Sequence, residues 1–134
     1  MNRISPEKFI ALGKAVIETE QMALKELIDR IDDKFVIACD LLLRCEGRIV
    51  VTGMGKSGHI GNKIASTLAS TGTPAFFVHP GEASHGDLGM ITNKDVMMLL
   101  SNSGETDEIV ALLPVIKRLN TPMISLTGKT NSTL

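Results

Sequence analysis

Two short segments concentrate the groups in this sequence that can hold an anion. The first, Gly53-Met54-Gly55-Lys56-Ser57-Gly58, follows the apolar run Ile49-Val50-Val51 and leads into a helical stretch. Glycines let a backbone approach a ligand closely, and a helix N-terminus offers unpaired N–H groups and the positive end of a dipole. Lys56 and Ser57 add a cation and a hydroxyl. The plainer alternative is a tight turn with a solvated lysine and a capping serine. The letters also match GxGxxG, but a dinucleotide fold wants an acidic residue about 20 positions on to hold the ribose. Val78, His79 and Pro80 stand there. The P-loop pattern fits at Gly55-Lys56-Ser57 but needs a glycine where Val50 is found, so neither nucleotide motif is satisfied.

The second segment is Ser101-Asn102-Ser103-Gly104-Glu105-Thr106-Asp107-Glu108, again between an apolar run and a helical stretch. Ser101, Ser103 and Thr106 can wrap a phosphate with short neutral donors beside backbone N–H groups. One Ser or Thr suffices for ordinary N-capping, and three hydroxyls exceed that need. Two such loops on neighbouring strands meet at the crevice where ligands of parallel α/β sheets bind. An anion site combining Gly55, Lys56 and Ser57 with Ser101, Ser103 and Thr106 is expected.

His85, in His85-Gly86-Asp87-Leu88-Gly89-Met90, is the best acid–base candidate, on a long loop with little apolar context to bury it. An unperturbed imidazole titrates near ~6.5. His59, in the first turn of its helix, reads as a surface or capping residue, and His79 stands open between a structural part and the site rim. Three scattered histidines with no cysteine cluster argue against a dedicated metal site. Cys39 and Cys45 lie on different faces of what reads as one helix. They form neither a CxxC pair nor half of a zinc site, and plain buried thiols are expected.

The elements that must position these groups follow from the hydrophobic pattern. Ser5, Pro6 and Glu7 mark a helix start. The apolar residues Phe9, Ile10, Val16, Ile17, Leu24, Leu27, Ile28 and Ile31 then recur at helical spacing. Asp32-Asp33 caps a second helix that Gly47 ends. From Arg48 the texture changes to short apolar runs, each followed by Gly or Ser and then by a helical stretch, the pattern of βα units. Strands are expected at Arg48 to Thr52, Ala75 to Val78, Val96 to Ser101 and Met123 to Thr127. Helices are expected from about Gly58 to Ser70 and from about Thr106 to Leu119, the latter kinked at Pro114. Ile49-Val50-Val51 and Val96-Met97-Met98-Leu99-Leu100 do not alternate with polar residues, as expected for strands covered on both faces. A three-layer αβα sandwich on a parallel sheet follows, with the connection from His79 to Lys94 as its one long loop.

At 134 residues, 43% hydrophobic and 22% charged, the chain suits one domain with one core and is far from a disordered composition. Fourteen Lys and Arg against fifteen Asp and Glu leave no basic excess, which argues against nucleic acid as the main partner. Four Phe with no Trp or Tyr make an aromatic base-stacking or proline-peptide groove hard to build. No run of residues is apolar enough to span a bilayer and the N-terminus lacks a signal-peptide stretch, so a soluble cytoplasmic chain is expected. The mean hydropathy of +0.17 and the N-terminal apolar stripe predict a homo-oligomer, dimer or tetramer.

Several of these segments together resemble the sugar isomerase (SIS) domain. They are Gly53 to Gly61, Ser70-Thr71-Gly72-Thr73-Pro74, Phe76-Phe77-Val78-His79-Pro80-Gly81-Glu82-Ala83, His85 to Met90, and Ser101 to Glu105. Within that superfamily the chain is similar to the bacterial D-arabinose-5-phosphate isomerases, over its whole length. The resemblance implies interconversion of D-arabinose 5-phosphate and D-ribulose 5-phosphate for Kdo and lipopolysaccharide synthesis, with no nucleotide or redox cofactor. It assigns phosphate contacts to Ser57, Ser101, Ser103 and Thr106, and places Lys56, His85 and Glu108 at the reacting end. It also implies a flavodoxin-like sheet of five parallel strands, a tetramer and a following CBS pair. The 134 residues stop after the expected fourth strand, so the fifth strand, a later Glu and His, and any CBS pair are expected to be missing. The rival function is a non-catalytic sugar-phosphate sensor, which needs the phosphate loops but no acid or base. A third is isomerisation of another sugar phosphate.

Overall fold

The computed structural model describes residues 5–84 and 86–134. The chain divides into two compact units, one ending at Ile37 and the next beginning at Ala38. The first unit is dominated by α1 (Pro6–Ile28), whose N-cap Ser5 accepts the Lys8 amide at 3.4 Å. Pro6 and Glu7 occupy its first turn, as the sequence predicts. The apolar stripe of α1 is open, from 49% exposed at Leu27 to 69% at Ile28. Asp32 then accepts the Lys34 amide at 2.9 Å and starts α2 (Asp33–Leu43), which runs into the second unit.

The second unit is a βα fold. Its elements are β1 (Ile49–Gly53), α3 (Gly55–Ser70), β2 (Ala75–Val78), α4 (Pro80–Ser84), a 3-10 turn at Asp87–Met90, β3 (Val96–Leu100), α5 (Asp107–Val110), α6 (Leu113–Arg118) and β4 (Met123–Leu126). The strands agree with the expected ones to within one residue at either end. All pairings are parallel in the order β2-β1-β3-β4, with Val51 opposite Phe77 on one side and Met98 on the other. This is the flavodoxin-like order, in which the chain reverses its direction of winding between β1 and β3.

Every residue of β1 and β3 is buried, which is why both read as unbroken apolar runs. Successive side chains point to opposite faces. Val50, Met97 and Leu99 pack with Ile109, Leu112 and Ile116, whereas Ile49, Val51, Val96, Met98 and Leu100 pack with Ala65 and the half-buried Leu42, Ile64 and Leu68. The sheet is therefore the middle of three layers. Each fully buried Ile, Leu or Val contributes about 1.5–3 kcal/mol.

The structure differs from expectation in five places. Helix α2 stops at Leu43 rather than at Gly47, the chain leaving the helix in a turn at Arg44. Helix α3 starts at Gly55 rather than near Gly58, because Met54 is its extended N-cap and Gly55 turns the chain at φ +51°. Lys56 and Ser57 consequently stand in the first helical turn. The helix expected from Thr106 to Leu119 is broken, not merely kinked: α5 ends at Val110 and α6 begins at Leu113, since Pro114 has no N–H to continue the ladder and sits in the first turn of the new helix. The long connection from His79 to Lys94 contains α4 and the 3-10 turn rather than plain loop. Cys39 and Cys45 are half-buried, not buried. Cys45 lies past the end of α2, where its thiol donates to the Lys94 carbonyl at 3.5 Å.

The return of the long connection to the sheet is fixed by Asp95, which is 2% exposed. Its carboxylate accepts the amides of Arg48 and Thr92, each at 2.7 Å, and the Thr92 hydroxyl at 3.0 Å. Burial pushes its pKa up, but these donors and the nearby Arg48 guanidinium outweigh burial and hold it below the usual carboxylate value.

Candidate functional site

The two glycine-containing loops leave the carboxyl ends of β1 and β3, the adjacent strands at the switch point of the sheet. Helix α3 is seated closely on β1. A Cβ built on Gly58 would stand 2.6 Å from the Gly53 carbonyl oxygen, so a side chain there would lift the helix start off the strand. That contact explains Gly58 without any nucleotide, and the φ of +51° explains Gly55. Met54 makes no side-chain cap bond, and the start of α3 faces the cavity with Lys56 exposed and Ser57 half-buried.

In the second loop the Ser101 hydroxyl is buried and central. It lies 2.8 Å from the Thr106 hydroxyl and 3.5 Å from that of Ser103, and it accepts the Gly104 amide at 3.0 Å. Ser103 in turn accepts the Glu105 amide at 3.2 Å. Thr106 occupies the N-cap of α5 yet makes no side-chain cap bond. Ordinary capping therefore does not account for that hydroxyl. Three hydroxyls gathered around one tight turn form a cluster of short neutral donors beside the cationic Lys56 loop.

Between the loops lies a cavity of about 370 Å³, lined by Lys56, Ser57, Ile60, Leu100, Ser101, Asn102, Leu126, Thr127 and Gly128. It brings together Lys56, Ser57 and Ser101 of the expected anion site. Ser103 and Thr106 join it only through Ser101. Gly55 opens α3 beside Lys56 without lining the cavity. A cleft of similar size, about 380 Å³, opens at the other end of the strands near Cys45 and Lys94. The buried carboxylate there, Asp95, is already saturated by its donors.

Glu108 lies in the first turn of α5, exposed, and is not among the residues lining the cavity. His85 lies outside the described residues. His59 is exposed on α3. His79 serves the local chain: its Nδ1 accepts the Gly81 amide at 3.2 Å at the start of α4. Among the described residues, no group of three or more His, Cys, Asp or Glu is placed to hold a metal ion, and no helix is long and apolar enough to cross a membrane.

Asn102, Thr127 and Gly128 also line the cavity and are not among the residues expected to form the site. A signal was present for the last two. Thr127-Gly128 follows β4 much as Thr52-Gly53 ends β1, a Thr-Gly pair at the carboxyl end of a parallel strand.

Residues 42–134 match the SIS domain family. The arabinose 5-phosphate isomerase KdsD of Pseudomonas aeruginosa strain PAO1 is 60% identical over 134 residues, all of this chain and 41% of that protein. KdsD of Escherichia coli K12 is 56% identical over 126 residues, 94% of this chain and 38% of that protein. The chain thus spans about two fifths of the length of these curated relatives. Among solved structures, Escherichia coli CFT073 c3406 in complex with arabinose 5-phosphate superposes with a TM-score of 0.90 at 46% identity, covering 96% of this chain and 69% of that one.

Proposed function

The chain belongs to the SIS domain family, and from that premise we propose that its cavity binds D-arabinose 5-phosphate and serves the interconversion of that sugar with D-ribulose 5-phosphate. The observation carrying this reading is the convergence of Lys56, Ser57 and the Ser101 hydroxyl cluster on one cavity at the switch point of the sheet. A phosphate dianion is matched there by helix-start N–H groups, neutral hydroxyls and one cation. The relatives named for this activity, and the neighbour solved with the sugar phosphate, support the choice of sugar.

The chemistry requires an opened sugar whose C2 proton is removed by a base. The electron pair left on C2 forms the C1–C2 double bond of an enediolate, while the carbonyl oxygen at C1 gains negative charge. A proton then returns to C1, O2 loses its proton and becomes the ketone, and the ketose is released. Ser57, Ser101, Ser103 and Thr106, with the backbone at Gly55, hold the phosphate in this reading. Lys56, the cation the fold brings to the cavity, offsets the enediolate charge. His85 moves protons between O1 and O2, and Glu108 is the carboxylate candidate for the base.

The test is solvent isotope exchange. Ribulose 5-phosphate incubated with the chain in deuterium oxide is expected to take up deuterium at C1, read by proton NMR, and the Lys56→Ala chain is expected to exchange far more slowly. Binding of the sugar phosphate without any exchange would overturn catalysis by these 134 residues, which span about two fifths of their relatives, and leave them a sugar-phosphate-binding unit.

A further inference from the structure

Residues 127–134 return from β4 across the Ser101–Glu105 turn, and the contacts between the two segments are specific. Glu105, inside the hydroxyl-rich turn, does not line the cavity, and its carboxylate bonds Thr133. The Thr133 amide donates to Oε1 and the Thr133 hydroxyl to Oε2, both at 2.7 Å. The Leu134 amide donates to the Gly104 carbonyl at 3.2 Å, and the Gly128 amide to the Asn102 carbonyl at 3.1 Å. Gly104 has φ +68°, and a side chain there would collide with Ser132, so the strap lies directly on the turn. Within the strap, Ser132 donates to the Lys129 carbonyl at 3.0 Å and Thr127 accepts the Lys129 amide at 3.1 Å. The two bonds from Thr133 hold the Glu105 carboxyl below the usual carboxylate range. One end of this strap, Thr127-Gly128, is a wall of the cavity.

We propose that Glu105 is a positioning residue, a two-pronged clamp that holds residues 127–134 against the hydroxyl turn and so sets the third wall of the phosphate cavity. The assignment rests on the phosphate reading of that cavity, and it gives Glu105 no contact with substrate. A carboxylate beside a phosphate site would repel the ligand if it faced inward. Turned onto Thr133, it shapes the turn and keeps its charge occupied by two donors.

The test uses the 134-residue chain with arabinose 5-phosphate as the probe, by isothermal titration, together with amide hydrogen exchange of the ligand-free protein. Glu105→Ala is expected to weaken binding about tenfold, and to speed exchange at Thr133, Leu134 and Gly128 while Met98 and Leu99 in the core stay protected. Glu105→Gln can still accept the Thr133 amide and can donate to the Thr133 hydroxyl, so its affinity should stay within about twofold of the parent. Thr133→Val removes only the hydroxyl prong and should fall between the two. Glu105→Gln as damaging as Glu105→Ala would overturn the clamp and point to a role for the charge itself. Unchanged exchange at Thr133 in Glu105→Ala would overturn it too. A parent chain that binds no sugar phosphate would refute the phosphate reading and Glu105's assignment to that site. Faster exchange in Glu105→Ala would even then show the strap contact, which separates the two failures.

Discussion

Substituting alanine at Gly58 sets two effects of opposite sign against each other, and the structure decides between them. In a helix interior, alanine is favoured over glycine by about 1 kcal/mol. At Gly58 the added Cβ would stand 2.6 Å from the Gly53 carbonyl oxygen, inside the 3.0 Å limit that real Cβ contacts respect. The obstacle is backbone of a buried strand, so no side-chain rotation relieves it. Overpacking of this kind costs about 1–3 kcal/mol. Because the move must lift the first turn of α3, the upper part of that range applies, for a net loss of roughly 1–2 kcal/mol after the propensity gain. A domain of this size loses about 4 °C in melting temperature per kcal/mol, so Gly58→Ala should melt roughly 4–8 °C below the parent. Lys56 and Ser57 ride on the displaced turn, and arabinose 5-phosphate affinity should fall with stability. The control is Gly13→Ala in α1, where nothing lies within 4 Å of the added Cβ and the melting temperature should hold or rise. Differential scanning calorimetry and titration of both variants provide the check. A Gly58→Ala chain that melts at or above the parent temperature would refute the close-packing argument. A lower melting temperature with unchanged affinity would show that the start of α3 does not set the site.

Ser103→Ala and Thr106→Val should each weaken arabinose 5-phosphate binding by about tenfold, the worth of one hydrogen bond to a charged group, and isothermal titration reads it. Unchanged affinity in both would remove the hydroxyl cluster from the site. Asp95 has a folded pKa below its unfolded value of about 3.9, so its contribution to stability is complete above that value and is lost as pH falls through the lower folded pKa. Melting temperatures from pH 7 to pH 3 should therefore fall at the acid end, and Asp95→Asn should flatten that fall. Sedimentation should find a dimer or tetramer, given the open apolar stripe of α1. A monomer at high micromolar concentration would contradict it.

The sheet was legible from the letters because β1 and β3 are buried on both faces, and the resulting apolar runs are bounded by Gly and Ser. The convergence of the two loops is expected from their place after parallel strands taken as neighbours and the rule that ligands bind at the carboxyl ends of such strands, and the strand order of the structure makes β1 and β3 adjacent. Helix α3 starts earlier than the letters indicate because a glycine at positive φ opens it, a use of Gly55 that composition alone reads as loop. Pro114 was recognised as a disturbance, but whether a proline bends a helix or divides it depends on packing. Here Leu112 and Leu113 are both drawn into the core at the break. The burial of Cys45 is not legible because it lies beyond the end of α2, a boundary that helical periodicity does not locate. Glu105 and the strap were invisible for a different reason. Their contact joins residues 28 positions apart through an exposed carboxylate, and nothing in a local pattern distinguishes that side chain from the acidic neighbours Asp107 and Glu108.

The central claim is that a sugar phosphate occupies the cavity between the loops after β1 and β3. The most direct measurement is a two-dimensional amide NMR titration of the 134-residue chain with arabinose 5-phosphate, with unphosphorylated arabinose as the control. The account predicts saturable shifts at Lys56, Ser57, Gly58 and Ser101 through Thr106, with Cys45 and Lys94 at the opposite end of the sheet unmoved and arabinose without effect. Shifts centred on Cys45 and Lys94, or equal responses to both sugars, would contradict it.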